Sequence, residues 1–362
     1  MKILESKFVQ GFIKMANDGY LQGWHERNGG NISYRLTSEN VESFKNIIDE
    51  NRDYSPIGVT VKNLANEYFL VTGSGKFIRN VAVDLEANVG IVKIDEKGEN
   101  YKVVWGLVNG AKLTSELPSH LMSHSVKFEA TNGKHRVIMH SHATNLIALT
   151  FVLPLDGAVF TRELWEMATE CPVVFPSGVG IVPWMVPGGA EIAEATSELM
   201  KKHDVVIWAH HGVFCSGEDL DLTFGLMDTV EKSAEILVKV LSMGGKRQTI
   251  SSDNFRDLKG NVEKAVLEVI ADFEANKDPQ KIDIIVDRYM FKELDEIKKS
   301  LNYKFTDKLV NAMIDSTNVR TTVRLMQPYG AAYAAGDHVG IQRHIQEIAL
   351  RTDQDSINSI LW

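Results

Sequence analysis

The chain has 362 residues, of which 44% are hydrophobic and 24% charged, a composition typical of a globular protein with a substantial core. Its 39 Lys and Arg residues against 48 Asp and Glu residues give a formal net charge of −9. This excess of acid argues against a protein that binds nucleic acids or anionic membranes through a basic surface, so we expect neither partner. Cys171 and Cys215, the two cysteines, are too few for a disulfide framework or a four-thiolate zinc site.

The sequence also predicts a cytoplasmic protein. Residues 1–24 contain Glu5 and Asp18 and lack the apolar core of a signal peptide. The longest nearly apolar run, residues 146–155, is about half the length of a membrane-spanning helix and is interrupted by Pro154. We therefore expect no membrane anchor in this chain.

Helical and strand-like patterns alternate over the first 250 or so residues. In chain order we predict a helix at 8–21, strands at 68–71 and 103–108, a strand at 134–142 running into a helix at 143–150, a strand at 205–208 and a helix at 221–243. Because strands and helices are interspersed, we predict an α/β fold in which helices cover both faces of a sheet.

The composition changes near residue 258. Of the 27 glycines, four lie after residue 259, and the pattern beyond that point is helical almost throughout. The polar stretch 249–254 is typical of a loop. We therefore predict two domains, residues 1–257 and an all-α extension, residues 258–362, whose role is unknown and which could bind a helical partner.

The most specific local pattern is a pair of histidines, His140 and His142, near the end of a predicted strand. Side chains two apart in a strand point to the same face, so both imidazoles could bind one cation; the alternative is a pair of buried histidines bonded to backbone carbonyls. His210 and His211 follow another strand, where a turn could aim a third imidazole at the same cation. Three histidines with an open fourth position are typical of catalytic zinc. His135, at the start of the predicted strand 134–142, is less well placed to bind the same cation.

Two carboxylates could act as an acid or base beside such a cation. Glu116 follows Thr114 and Ser115, and Glu170 follows Thr169. A hydroxyl residue ahead of a glutamate is also a common pattern at helix starts, so each glutamate, taken alone, is better explained as a solvated residue at a helix terminus.

Two glycine-rich loops, residues 26–31 and 72–76, offer consecutive backbone N–H groups that could bind an anion, although either could be a simple turn. The second loop is not a nucleotide-binding P-loop. Leu70 stands where the P-loop has its first glycine, and Phe77 stands where it has Ser or Thr.

Taken together, these segments resemble the class II aldolase/adducin-head family over about residues 5–252. The segments that carry the resemblance are 24–31, 71–77, 114–118, 137–145, 173–176, 182–188 and 211–214. The resemblance implies a central, mostly antiparallel sheet between helical layers. It also implies a cytoplasmic homotetramer that cleaves a ketose 1-phosphate, a small sugar phosphate, by a retro-aldol reaction.

The resemblance further implies one Zn²⁺ ion per subunit, held by His140, His142 and His211, with Glu116 as the catalytic acid and base. It marks a phosphate pocket formed by Asn28, Gly29, Asn31, Ser74, Gly75, Thr114 and Ser115. Lys76 could steer the phosphate or be a solvated lysine, and Glu170 could be a second acid on the aldehyde side.

Three other functions stay open at this point. Within the same family they are a fuculose-1-phosphate aldolase and a pentulose-phosphate epimerase, and outside catalysis a scaffold of the adducin type. A scaffold has no need for three histidines and a glutamate around an open metal site, which argues against it. Separately, residues 258–325 resemble part of the helical C/d subunit of rotary V/A-type ATPases, on segments 283–291 and 314–321.

Overall fold

The computed structural model describes residues 3–108 and 110–258. The first compact unit of the chain ends at Ser251, within the polar stretch 249–254. The extension predicted at residues 258–362 lies outside the described residues except for its first position, so its helical character stays a prediction. None of the helices in the described part of the chain is long and apolar enough to cross a membrane.

Nine strands of the described chain form one sheet. They are β1 (Asn31–Arg35), β2 (Ser55–Pro56), β3 (Tyr68–Thr72), β4 (Val89–Ile94), β5 (Asn100–Gly106), β6 (Val137–Ser141), β7 (Val179–Val182), β8 (Val205–Trp208) and β9 (Gly212–Gly217). Their order in the sheet is β2-β5-β4-β3-β1-β6-β9-β8-β7. All neighbours are antiparallel except β7 and β8. The mostly antiparallel central sheet confirms the expected fold class.

Helices cover both faces of this sheet, as predicted. They are α1 (Lys7–Leu21), α2 (Ser38–Phe44), α3 (Leu85–Asn88), α4 (Leu117–Ala130), α5 (Thr144–Leu149), α6 (Gly157–Trp165), α7 (Cys171–Val174), α8 (Ala190–Met200) and α9 (Leu220–Ser242). The apolar sides of α1, α5, α6 and α9 pack on one face, which we call the α9 face. Helices α4 and α8 pack on the opposite face, which we call the α4 face.

The pleat of the central strands sends alternate residues to the two faces. In β1, Ile32 enters the core of the α9 face, whereas Ser33 contacts two histidines of α4. In β6, Met139 lies in the α9-face core and Ile138 in the core beneath α8. His140, two residues after Ile138, therefore points to the α4 face.

The predicted element boundaries differ from the structure in a few places. The strand predicted at 205–208 matches β8, and the helix predicted at 8–21 begins one residue earlier. The strand predicted at 103–108 ends at Gly106, because Gly106 and Leu107 adopt positive φ values of 72° and 45° that turn the chain out of the sheet. Strand β1 was not predicted: its first residue is the last residue of the glycine-rich loop 26–31.

Candidate active site and metal centre

Strand direction assembles the site at one end of the sheet. Strands β1 and β9 begin at this end and strands β3 and β6 finish there, because the four strands are consecutive antiparallel neighbours. The register pairs Asn31 with His140 and Val213 with Ser141. Segments far apart in the sequence therefore meet at this end of the sheet.

His140, His142 and His211, the three predicted metal ligands, lie together at this end of the sheet. His140 is in β6, His142 follows that strand directly, and His211 lies in the turn between β8 and β9. The nearest ligand atoms of the three side chains all lie within 4.8 Å of one another. Three convergent imidazoles at this spacing can share one metal ion.

His210, the other candidate for the third position, points elsewhere. Its backbone is left-handed, with a φ of 62°, a conformation that costs a non-glycine residue about 1–2 kcal/mol. The Thr150 hydroxyl oxygen accepts the His210 backbone N–H at 3.1 Å and also lies 3.1 Å from the ring Nδ1. These bonds hold the His210 ring beside Thr150, and the next residue, His211, enters the cluster. His135 is likewise outside the cluster, with its Nδ1 3.0 Å from Ser216 Oγ.

Neighbouring groups orient two of the three imidazoles. The Nδ1–H of His140 donates to the carbonyl oxygen of Val213 at 3.1 Å, and the ring stacks on Phe214 with centroids 4.3 Å apart. The His142 Nδ1 lies 2.6 Å from Glu26 Oε1. A carboxylate or carbonyl behind a histidine fixes its tautomer and leaves the other ring nitrogen free to bind a metal.

The donor set fits a divalent metal ion. The Nε2 atom of His140 is fully buried and has no hydrogen-bond partner in the described chain. Burial lowers the pKa of His140 well below its usual range and lowers the pKa of His211 to about 4. Both rings are therefore neutral at pH 7, the form that binds metal. Without a cation, the lone pair of His140 Nε2 would be a buried polar atom left unsatisfied.

Glu116 faces this cluster from the start of α4. Its Oε2 lies 3.5 Å from His140 Nε2 and its Oε1 lies 3.7 Å from His211 Nε2. Asn31 Nδ2 donates to Oε2 at 2.7 Å. Burial raises the pKa of Glu116, while the Asn31 hydrogen bond acts in the opposite direction. The side chain makes no capping bond and the residue is only 8% exposed, so the alternative of a solvated residue at a helix start is wrong for Glu116.

Glu170, like Glu116, directly precedes a helix and makes no capping bond, but its side chain is exposed whereas that of Glu116 is buried. No hydrogen bond or ion pair among the described residues connects it with Glu116 or with the three histidines. Its surroundings match the solvated alternative.

The loops that the resemblance assigned to phosphate flank the cluster. A Cβ atom on Gly29 would lie 2.7 Å from His142 Nδ1, so only glycine fits there. The Ser74 N–H donates to the carbonyl oxygen of Lys112 at 2.7 Å, and the Thr114 N–H donates to Thr72 O at 3.1 Å. These bonds join the loop after β3 to the segment that leads into Glu116. Asn28, Ser74, Gly75 and Ser115 are exposed, whereas Asn31 and Thr114 are buried.

Sequence reasoning missed several polar residues of the site. His120 and His124 lie on α4, and Ser33 of β1 lies between them, with its Oγ 2.7 Å and 2.8 Å from their ring nitrogens. The signal was present: Glu116, His120 and His124 are spaced four apart and therefore share one face of a helix. Glu26 was read only as part of a glycine-rich loop.

Comparison with known proteins places this geometry in a family context. The profile described as Class II Aldolase and Adducin N-terminal domain matches residues 10–238. A second profile, ATP synthase (C/AC39) subunit, matches residues 226–335. The first match covers more than half of the chain and includes all of the segments described above.

Curated relatives and a solved structure extend the comparison. The rhamnulose-1-phosphate aldolase of Mannheimia succiniciproducens is 59% identical over 254 residues, which are 70% of this chain and 93% of that protein. The enzyme of the same name from Shigella boydii serotype 4 is 58% identical over 251 residues, 69% of this chain and 92% of that protein. The crystal structure of a sugar-phosphate aldolase from Thermotoga maritima matches with a TM-score of 0.56 and 29% identity, covering 66% of this chain and 97% of that one.

Proposed function

This chain belongs to the class II aldolase and adducin N-terminal domain family, a family of metal-dependent aldolases, and we propose on that premise that it cleaves L-rhamnulose 1-phosphate. The products are dihydroxyacetone phosphate and L-lactaldehyde, and the reaction serves rhamnose catabolism. The observation that carries the choice of substrate is the identity of 58–59% with rhamnulose-1-phosphate aldolases over more than nine tenths of their length.

We assign the metal site to His140, His142 and His211, and we propose one Zn²⁺ ion per subunit. The support is the set of three nitrogen donors within 4.8 Å of one another and the orphaned Nε2 of His140. Three neutral imidazoles favour zinc and leave an open coordination position. When bound, such an ion supplies Lewis-acid stabilisation for negative charge on the ketone oxygen of the substrate.

We assign the acid–base role to Glu116. In retro-aldol cleavage the hydroxyl of the aldehyde half loses its proton and forms a C=O bond as the carbon–carbon bond breaks. The bonding electron pair stays on the ketone half, where one carbon must then gain a proton. The Glu116 carboxyl lies within 3.7 Å of two ligand nitrogens and is therefore close to any substrate bound at the cluster. Because burial raises its pKa, the carboxyl can carry a proton nearer neutral pH than a solvated glutamate can. In the synthetic direction the same oxygen removes that proton.

The phosphate pocket is proposed from the loops beside the cluster: Asn28, Gly29, Asn31, Ser74, Gly75, Thr114 and Ser115. A chain with a net charge of −9 has no favourable overall field for a phosphate, so local N–H and hydroxyl donors must bind it. Phosphate binding energy, remote from the bond that breaks, orients that bond relative to Glu116. Lys76, half-buried beside Gly75, is a further candidate for steering the phosphate.

Assembly and domain limits are part of the same proposal. We propose a cytoplasmic homotetramer in which residues 1–257 form the catalytic domain and residues 258–362 have no catalytic role. The first compact unit ends at Ser251, which supports the division. A chain ended after residue 256 should keep its kcat and its tetrameric mass in light scattering. Loss of activity in a folded tetramer would contradict the division.

A substrate panel tests the function directly. The purified protein, loaded with zinc, is assayed for release of dihydroxyacetone phosphate from L-rhamnulose, L-fuculose and D-fructose 1-phosphates and, in parallel, for epimerisation of pentulose phosphates. We expect the highest kcat/KM for L-rhamnulose 1-phosphate. Preference for L-fuculose 1-phosphate, or epimerisation without cleavage, would replace the proposed substrate.

A further inference from the structure

A continuous chain of buried hydrogen bonds runs behind Glu116 on the α4 face. Glu116 Oε2 accepts from Asn31 Nδ2 at 2.7 Å, and Asn31 Oδ1 is in close contact with His120 Nε2. The Ser33 hydroxyl lies 2.7 Å from His120 Nδ1 and 2.8 Å from His124 Nε2. All five side chains are buried. We call this set the α4 chain.

One arrangement of protons satisfies every bond of the α4 chain. An ionised Glu116 only accepts, so the Asn31 amide nitrogen donates to it and the Asn31 amide oxygen must accept. His120 then carries its proton on Nε2, and its Nδ1 accepts the Ser33 hydroxyl. The Ser33 oxygen in turn accepts the Nε2–H of His124. Burial lowers the pKa of His120 to about 3 and that of His124 well below its usual range, so each ring carries a single proton.

This arrangement selects one orientation of the Asn31 amide. The two ends of an amide are similar in shape, so packing alone does not distinguish the amide nitrogen from the oxygen. If the amide turned over, its oxygen would face the Glu116 carboxylate and its NH₂ group would face the N–H of His120. Both contacts would then be repulsive in a buried setting, where unsatisfied polar groups are costly.

We propose that His120 and Ser33 are positioning residues, which hold the Asn31 amide, and through it the Glu116 carboxyl group, in the orientation needed for proton transfer between that group and the substrate carbon. The inference depends on the acid–base role assigned to Glu116 under the proposed function. It goes beyond that role because it assigns a task to two side chains that have no hydrogen bond or ion pair with His140, His142 or His211 among the described residues.

A matched pair of serine variants separates positioning from packing. Ser33→Ala removes the hydroxyl that donates to His120 Nδ1. Ser123→Ala removes a hydroxyl of α4 that is also buried but has no hydrogen-bond partner in the described chain. We expect Ser33→Ala to lower kcat about three- to tenfold with KM within about twofold, and Ser123→Ala to leave both unchanged.

A second pair of variants tests His120 itself. Gln at position 120 can place an amide N–H near the position of Nε2, whereas Phe fills the ring volume with no donor. We expect His120→Gln to keep kcat within about threefold and His120→Phe to lower it at least about tenfold. Zinc content per subunit, measured by atomic emission, should be the same in both variants. This rescue by the donor-bearing side chain would not follow from a purely structural role.

Exchange of a substrate proton with D₂O isolates the step that involves Glu116. Dihydroxyacetone phosphate alone should exchange a hydrogen at its hydroxymethyl carbon, at a rate that Ser33→Ala lowers by the same factor as kcat. In a Glu116→Gln background, Ser33→Ala should have no further effect, because it acts through Glu116. Equal exchange rates for Ser33→Ala and Ser123→Ala, or for the Phe and Gln variants of His120, would overturn the inference.

Variants of Ser33 and Glu116 distinguish loss of the proposed positioning role from loss of the acid–base role. If Glu116→Gln abolishes cleavage while Ser33→Ala matches Ser123→Ala, the acid–base role stands and the positioning role falls. If Glu116→Gln cleaves at the normal rate, the acid–base role itself falls. Neutron diffraction gives a readout independent of turnover: we expect deuterium on Nε2 of His120 and none on Nδ1, and the reverse would exclude the proposed orientation.

Discussion

The two faces of the central sheet are built from the same strands but differ at the end that carries the histidine cluster, where the α4 face buries a polar cluster beside its apolar cores. On the α9 face, β1 and β6 contribute Ile32 and Met139 to an apolar core to which α1, α5, α6 and α9 also contribute. On the α4 face the alternate residues of these strands include Asn31, Ser33 and His140, all buried and polar. The period of two in a strand is sufficient to separate the two environments by the thickness of one sheet.

This contrast indicates that one face contributes mainly to stability and the other to the proposed catalysis. The α9 face buries apolar side chains and supplies most of the stability expected from area removed from water. The α4 face buries polar groups in addition to its apolar cores, and buried polar groups cost free energy unless each finds a partner. Under the proposed function this polar cluster serves catalysis, so substitutions on the two faces should affect different measured quantities.

The largest expected effect is loss of the metal site on the α4 face. His142→Ala should bind zinc far more weakly and cleave substrate below the detection limit, because two imidazoles cannot hold the ion as three do. Chelation of the wild-type protein should abolish cleavage, and added zinc should restore it. Atomic emission measures the bound zinc, and a coupled assay for dihydroxyacetone phosphate measures cleavage. Full activity after complete removal of metal would contradict the assignment.

Two buried glutamates on opposite faces give the next comparison. Glu116→Gln should lower kcat by about 100- to 10,000-fold, the range for loss of a general acid or base, while keeping its metal. Glu231 of α9 accepts the backbone N–H groups of Asn145 and Leu146 at 2.9 and 3.1 Å, where α5 begins. Glu231→Gln should keep kcat within about threefold and lose about 1–3 kcal/mol of stability in urea unfolding. Equal kcat values for the two variants would remove the distinction between the faces.

A core substitution on the α9 face should affect stability without affecting chemistry. Phe12 of α1 is fully buried, and Phe12→Ala should cost about 3–5 kcal/mol in the free energy of unfolding by urea. Leu21→Ala, in the same helix but 72% exposed, is the control and should cost less than about 0.5 kcal/mol. Both folded variants should retain wild-type kcat. A lower kcat for folded Phe12→Ala would show that the faces are coupled.

The smallest expected effect is a pH dependence specific to the α4 face. Burial lowers the pKa of His120 from 6.5 to about 3, so between these values the unfolded chain binds the extra proton. The free energy of unfolding therefore falls as pH drops below 6.5. Above pH 6.5 the titration of His120 no longer changes it. Between pH 7 and pH 5, metal-free wild type should lose about 2 kcal/mol more unfolding free energy than metal-free His120→Gln. If urea unfolding gave both proteins the same loss of unfolding free energy between pH 7 and pH 5, His120 would not contribute to the pH dependence.

Local patterns predicted much of this molecule. The spacing of His140 and His142 indicates a shared face of a strand, and the structure brings both rings to one cluster. The interspersed strands and helices predict the layered sheet. The local pattern alone could not choose between His210 and His211, and only the family resemblance named His211, because the choice depends on the backbone torsion of His210 and its bonds to Thr150.

Long-range contacts account for what the sequence did not predict. Ser33 and His120 are 87 residues apart, and their hydrogen bond exists only because α4 packs on β1. Likewise, Glu116 is a buried residue rather than a solvated one because the end of the sheet lies over the start of α4. The preceding Thr114 and Ser115 occur in both kinds of site and cannot distinguish them.

The register between β6 and β9, which pairs His140 with Phe214, makes the metal site sensitive to folding errors. A slip of one residue in a strand moves each side chain to the opposite face, and would turn His140 into the apolar core of the α9 face. Since β6 supplies one proposed ligand and the turn into β9 another, the three proposed ligands converge only in the native pairing. Under this proposal, binding of the ion would stabilise correctly registered chains over misaligned ones, and metal uptake during refolding would report completion of the sheet.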